Sequence, residues 1–185
     1  MLKALADYGG DFLPDLKLED FSHERILRLL RLYSKVYAAL DGFWYLAVME
    51  RRGNKEALAC DTKVWKSITK YEMRRITEEL NIHGNDVIAL MKALQIAPYF
   101  QNMQYKIDIE NGNRATFTVT HCPTLYALER EGKGRETEIC NIVEPEIFKD
   151  YASFFSPSIQ VRCLKSPPRK SKDEICCQWA FNLES

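Results

Sequence analysis

The chain has 185 residues, 46% of them hydrophobic and 28% charged, with Lys+Arg (26) balancing Asp+Glu (26). A chain of this length fits one domain and can bury roughly 70% of the surface its unfolded form exposes, so it needs neither disulfide nor metal to be stable. Zero net charge argues against a general nucleic-acid-binding surface, which requires a basic excess or stripe, and no window approaches the roughly 18 apolar residues of a membrane span.

Met1-Leu2-Lys3-Ala4-Leu5-Ala6-Asp7 lacks the apolar core of a signal peptide. A cytoplasmic location is therefore expected, where thiols stay reduced. Residues 1–19, with Gly9-Gly10 and Pro14, read as an irregular arm, and residues 20–185 as a single α+β domain. Ser22 is a plausible N-cap for a first helix from His23 to Leu40, whose apolar stripe is Ile26, Leu29, Leu30, Tyr33, Val36 and Tyr37. Asp41-Gly42 is expected to break it, with a second apolar stretch over Phe43–Met49. A third helix is predicted over Lys55–Leu80, ended by Asn81 and Gly84. A fourth covers Asp86–Leu94 and stops before Pro98.

From residue 103 the periodicity changes to two. Gln104–Glu110 and Arg114–Cys122 flank Asn111-Gly112-Asn113, a strong hairpin signal because Asn and Gly tolerate the positive φ of tight turns. Pro123–Glu138 reads as a loop, and Pro145 opens a helix to Phe155. Ser158–Leu164 and Glu174–Leu183 are the remaining strands, joined by a solvated connector over Pro167–Lys172. The order predicts α+β: a helical half over 20–102, then a ββαββ half over 103–185 whose antiparallel sheet of about four strands packs against helices.

Of the six cysteines, Cys122, Cys140, Cys163, Cys176 and Cys177 fall in the strand half. Alternation puts Cys177 inward with Trp179 and Phe181, Cys163 inward with Ile159 and Val161, and Cys176 on the opposite side from Cys177. Three uses compete. Free cysteine packs as a small hydrophobe. Cysteines can hold a metal, here Cys122, Cys140, Cys163 and Cys177, although no C-x₂₋₄-C knuckle is present. A thiol can also act as a nucleophile beside a base, and His121 is the histidine of the strand half. Adjacent His121 and Cys122 point to opposite faces, so His121 toward Cys163 or Cys177 is the better geometry. Trp44, Trp65 and Trp179 read as core that could wall an apolar pocket for a ligand. Asp61 and Glu72 flank apolar positions on the third helix; a lone carboxylate such as Asp61 or Glu50 is expected in solvent. No Gly-rich phosphate loop, G-x-S-x-G or H-E-x-x-H is present.

Phe43-Trp44, Trp65, Arg74-Arg75, Cys122-Pro123, Cys140, Val161-Arg162-Cys163, Pro167-Pro168 and Cys177-Gln178-Trp179-Ala180-Phe181 resemble a family of uncharacterised prokaryotic cytosolic proteins. More distantly the chain is similar to L-2-amino-thiazoline-4-carboxylic acid hydrolase-like proteins and, in outline, to ligand-binding domains of the 4-vinyl-reductase type. The first resemblance implies hydrolysis of a C–N or C–S bond, the second ligand sensing. The expected function is thus a cysteine-lined pocket for a small organic ligand, with Cys122, Cys163, Cys177 and His121 as catalytic candidates. A metal-binding protein and a homodimer formed through Phe43–Met49 are the alternatives, with neither nucleic acid nor membrane as a partner.

Overall fold

The computed structural model of the protein describes residues 4–184; Met1–Lys3, on which part of the arm and N-terminal reading rests, and Ser185 lie outside the described residues. The fold is α+β, with helices first and strands after. Helix α1 spans His23–Arg52, α2 Asn54–Leu80, and α3 Val87–Ile96, followed by a 3₁₀ segment over Pro98–Asn102. Strands β1 (Gln104–Asn111) and β2 (Arg114–His121) form the first hairpin. Helices α4 (Pro123–Glu131) and α5 (Arg135–Glu138) follow, then a π turn over Ile139–Val143 that runs into α6 (Glu144–Phe155). Strands β3 (Ile159–Lys165) and β4 (Cys177–Leu183) complete an antiparallel sheet ordered β1-β2-β4-β3.

Helix α1 does not break at Asp41-Gly42. It continues to Arg52, and the chain reverses at Gly53, which takes φ +87°. A glycine inside a helix costs about 1 kcal/mol relative to alanine, which the packing of a 30-residue helix against α2 absorbs. Ser22 caps α1 as expected, its hydroxyl accepting from the Arg25 N–H at 3.3 Å. Asn81 ends α2 in the left-handed region, φ 49°. Leu5 pairs with Phe21, so the arm is tied back onto the start of α1.

The segment expected as a loop after β2 is helical instead. Pro123 occupies the first turn of α4, the Cys122 thiol accepts from the Leu125 N–H at 3.5 Å, and Gly132 terminates the helix at φ +70°. Leu125 and Leu128, at helical spacing, bury the inner face.

One face of the sheet carries the core. Phe117 pairs with Trp179, and Val119 with Cys177, across the central β2–β4 ladder. Phe148 of α6 stacks on Trp179 with ring centroids 4.7 Å apart, and Phe100 lies 5.4 Å from Phe117. The polar alternates Thr118 and Gln178 bond each other on the far face at 2.9 Å. The outer side of α1 stays apolar and uncovered: Leu40 and Phe43 are 66% and 71% exposed. Trp44, read as core, is also exposed, because the continuous helix turns it outward.

The connector between β3 and β4 is anchored, not merely solvated. The Arg169 side chain is 1% exposed, donates to both Glu129 oxygens at 2.8 and 2.6 Å, and lies 4.7 Å over the Tyr126 ring. It also donates to the carbonyls of Lys172 and Glu174, each at 3.1 Å.

Candidate functional site

The small residues Ala38, Ala39 and Gly42 open one side of α1, and α2, the 3₁₀ segment, α4 and α6 close around the space they leave. The result is a cavity of about 650 Å³, the size range of small-molecule sites. A Cβ built on Gly42 would meet no atom within 4 Å. No packing in the protein therefore requires the glycine, which is exposed where it borders the cavity.

The walls are aromatic. Trp65 of α2 meets Tyr99 edge to face at 5.1 Å and Tyr37 at 6.3 Å. The Tyr99 hydroxyl is fixed 2.5 Å from the Thr124 hydroxyl at the start of α4. Tyr45 enters from α1 and donates to Asn54 Oδ1 at 2.6 Å.

Into this apolar space project three carboxyls, Asp41 from α1, Asp61 from α2 and Glu144 from the start of α6. Asp61, expected in solvent, is 4% exposed, and its Oδ1 has no hydrogen-bond partner. Burial first, and then the charges of Asp41 and Glu144, push its pKa up to about 8. Burial also raises Asp41. Glu144 is raised to about 7 by burial and by the Asp41 charge. The π turn over Ile139–Val143 precedes Glu144, and Val143 and Glu144 both line the cavity. Such turns recur at functional sites because the inserted residue re-aims its neighbours. Asn102 adds a second buried acceptor: its Nδ2 is used on the Ser34 carbonyl at 2.8 Å, while its Oδ1 is unpartnered. Cations sit toward the rim. Lys35 and Arg130 are exposed. Arg135 is held by Glu131 at 2.5 Å and lies 5.4 Å from the Tyr45 ring centre.

The thiols lie elsewhere. Cys122, Cys140, Cys176 and Cys177 line a separate space of about 20 Å³ under the sheet, with Trp179 and with Glu144, which borders both cavities. Burial, followed by neighbouring charges, pushes Cys122 up to about 12 and raises Cys140 and Cys177 further. Cys163 is not part of this group. It pairs with Trp179 on edge strand β3, in the same register as Ile159 and Val161, but it is exposed there and does not line the space that holds Cys177. Cys176 replaces it: that residue is 1% exposed, its thiol donating to the Thr120 carbonyl at 3.5 Å beneath Arg169. The expected metal set of Cys122, Cys140, Cys163 and Cys177 is therefore not assembled. Among the described residues, no group of three or more His, Cys, Asp or Glu side chains is placed to hold a metal ion.

His121 faces the large cavity and stacks on Tyr126 with ring centroids 4.7 Å apart, away from the thiols. Of the three tryptophans, Trp65 lines the large cavity and Trp179 the small one, while Trp44 lines neither. The residues that sequence reasoning missed are Asp41, Asn102 and Glu144. The available signal was two carboxyls, Asp41 and Asp61, on adjacent helices beside aromatic positions.

Among the described residues no helix is long and apolar enough to cross a membrane. No curated protein and no solved structure matches the chain. Residues 19–183 match a family of unknown function, DUF6125, and the chain, matched over nearly its whole length, belongs to that family.

Proposed function

We propose that the protein binds a small organic ligand in the cavity between α1, α2, α4 and α6. The observation that carries this reading is Asp61: a buried carboxyl with an unpartnered oxygen, facing about 650 Å³ of aromatic-walled space. An unpaired buried polar group costs roughly 1–3 kcal/mol, a penalty that a ligand offering donors would offset.

The site is carboxyl-lined where the sequence suggested cysteines. Buried thiols with raised pKa values are poor nucleophiles, because the thiolate is the reactive form. Asp61 and Glu144, raised to about 8 and about 7, would instead exchange protons near neutral pH, as general acid–base catalysis requires. Hydrolysis of a C–N or C–S bond is the reaction to assay at this site.

The test is a thermal-shift screen of small organic compounds against wild type and Gly42→Leu. Leucine at this position adds bulk at the edge of the cavity and favours helix by up to about 1 kcal/mol. Compounds should raise the wild-type Tm and leave the variant, itself more stable, unmoved. Equal shifts in both proteins would place the ligand elsewhere.

A further inference from the structure

The donor and acceptor pattern of the cavity narrows the ligand. Among the described residues, the two unpartnered buried polar atoms that border it, Asp61 Oδ1 and Asn102 Oδ1, are both acceptors. Asp41 and Glu144 add acceptor oxygens when ionised. Among the donors that border the space, the Tyr45 hydroxyl is engaged by Asn54, Arg135 by Glu131, and Asn102 Nδ2 by Ser34, while Lys35 and Arg130 stand exposed at the rim. A ligand group that fits the Asp61 and Asn102 oxygens brings donors, and a primary ammonium has three N–H donors and none to accept. Trp65 and Tyr99 present π surface beside the same oxygens, which favours a cation over a neutral donor.

An inorganic ion fits less well. The carboxyls are not gathered closely enough to ligate one, and the space exceeds a single ion many times over. A wholly apolar ligand would leave the Asp61 and Asn102 oxygens unpaired in a drier cavity.

We infer that the cavity takes an organic cation, a primary amine carried on an apolar or aromatic body, with the ammonium at the Asp61 Oδ1 atom and the carboxyls of Asp41 and Glu144 lining the same space. This rests on the ligand-binding reading above. The apolar body lies against Trp65 and Tyr99, and the small-residue wall at Ala38 and Gly42 admits it.

Calorimetric titration of the full chain with phenethylamine, 2-phenylethanol and 3-phenylpropionate, which share a body and differ in charge, tests this at about pH 8, where Asp61 ionises. The amine should bind at least about tenfold tighter than the alcohol, a difference of about 1.4 kcal/mol, and the carboxylate weakest. Asp61→Asn and, independently, Glu144→Gln should bring the amine down to the level of the alcohol without weakening the alcohol. Amine and alcohol binding equally, unchanged by either variant, would overturn the cation assignment and leave ligand binding standing. Failure of all three compounds to bind would overturn both. Stoichiometric Mn²⁺ binding lost in Asp61→Asn would put an inorganic ion at the carboxyls and overturn the assignment as well.

Discussion

Asp61 of α2 and Asp41 of α1 line the same cavity, and the Asp41 charge adds to burial in raising the Asp61 pKa. Two like charges in a poorly solvated site cannot both ionise cheaply, and the pair therefore prefers one proton at neutral pH. A buried carboxyl with an unpartnered oxygen, next to a cavity that a second carboxyl also lines, separates this site from ordinary core.

That pair sets the pH dependence of stability. A carboxyl raised to about 8 in the folded state, against 3.8 in the unfolded chain, holds its proton longer when folded. Between those values the native state binds more protons, so stability falls as pH rises and the loss is complete above about 8. Asp41, Glu72 and Glu144 are raised too and act with the same sign. Asp61→Asn should flatten the decline between pH 5 and 8 and stabilise the protein by roughly 1–3 kcal/mol at the alkaline end. Urea denaturation of both proteins across that range is the check; identical slopes would mean Asp61 is not the group responsible.

The β half of the fold was readable because strand periodicity is local. Asn111-Gly112-Asn113 fixes the first hairpin, and the alternation of Phe117, Val119, Trp179 and Phe181 identifies the buried face. Helix α4 was missed because Gly132 and Gly134 outweighed Pro123, Leu125 and Leu128, although Gly132 is the terminator of that helix. The break expected at Gly42 failed for the opposite reason: tertiary packing holds a glycine that propensity alone would use as a stop. Cys163 keeps the alternation of Ile159 and Val161, opposite Trp179, but lies exposed on an edge strand, which alternation alone does not reveal. The site itself was hidden, since the burial of Asp61 depends on Glu144 and the rest of α6, far along the chain.

The thiols should differ in reactivity by position. Cys163 is exposed and Cys60 half-buried, whereas Cys176 is buried and Cys122, Cys140 and Cys177 are held protonated by burial. In native protein, Cys163 should be alkylated first and Cys60 next, with the other four modified only as fast as the protein opens. Peptide mapping after timed alkylation reads the order. Rapid native labelling of Cys177 would contradict the burial that raises its pKa.

Glu72 has a structural role that resembles the site chemically and differs in outcome. It is buried between α1 and α6 but accepts from the Tyr37 hydroxyl at 2.8 Å and the Tyr151 hydroxyl at 2.9 Å. Both its oxygens are satisfied, and no ligand is needed. Glu72→Ala strands two largely buried hydroxyls and should cost roughly 2–4 kcal/mol. Tyr37→Phe with Glu72→Gln should cost less than the sum of the single changes, because the partners are removed together. Additive losses in a double-mutant cycle would show that the two side chains are not coupled.

Arg169 offers the sharpest test of how the β3–β4 connector is held. Its guanidinium engages both Glu129 oxygens, two carbonyls and the Tyr126 face at once, and its charged form is favoured further by the Glu129 bond. Planar, bidentate pairing is a property of arginine that lysine lacks. Arg169→Lys should therefore lose most of what Arg169→Ala loses, roughly 1.5–3 kcal/mol for charged hydrogen bonds in a part-buried pair. In either variant the connector should loosen over Cys176, whose thiol lies 3.9 Å from Arg169 Nη1. Denaturant unfolding measures the first effect and the alkylation rate of Cys176 the second. A lysine variant as stable as wild type, with Cys176 still protected, would mean that packing around Pro167 holds the connector and that the arginine fork is dispensable.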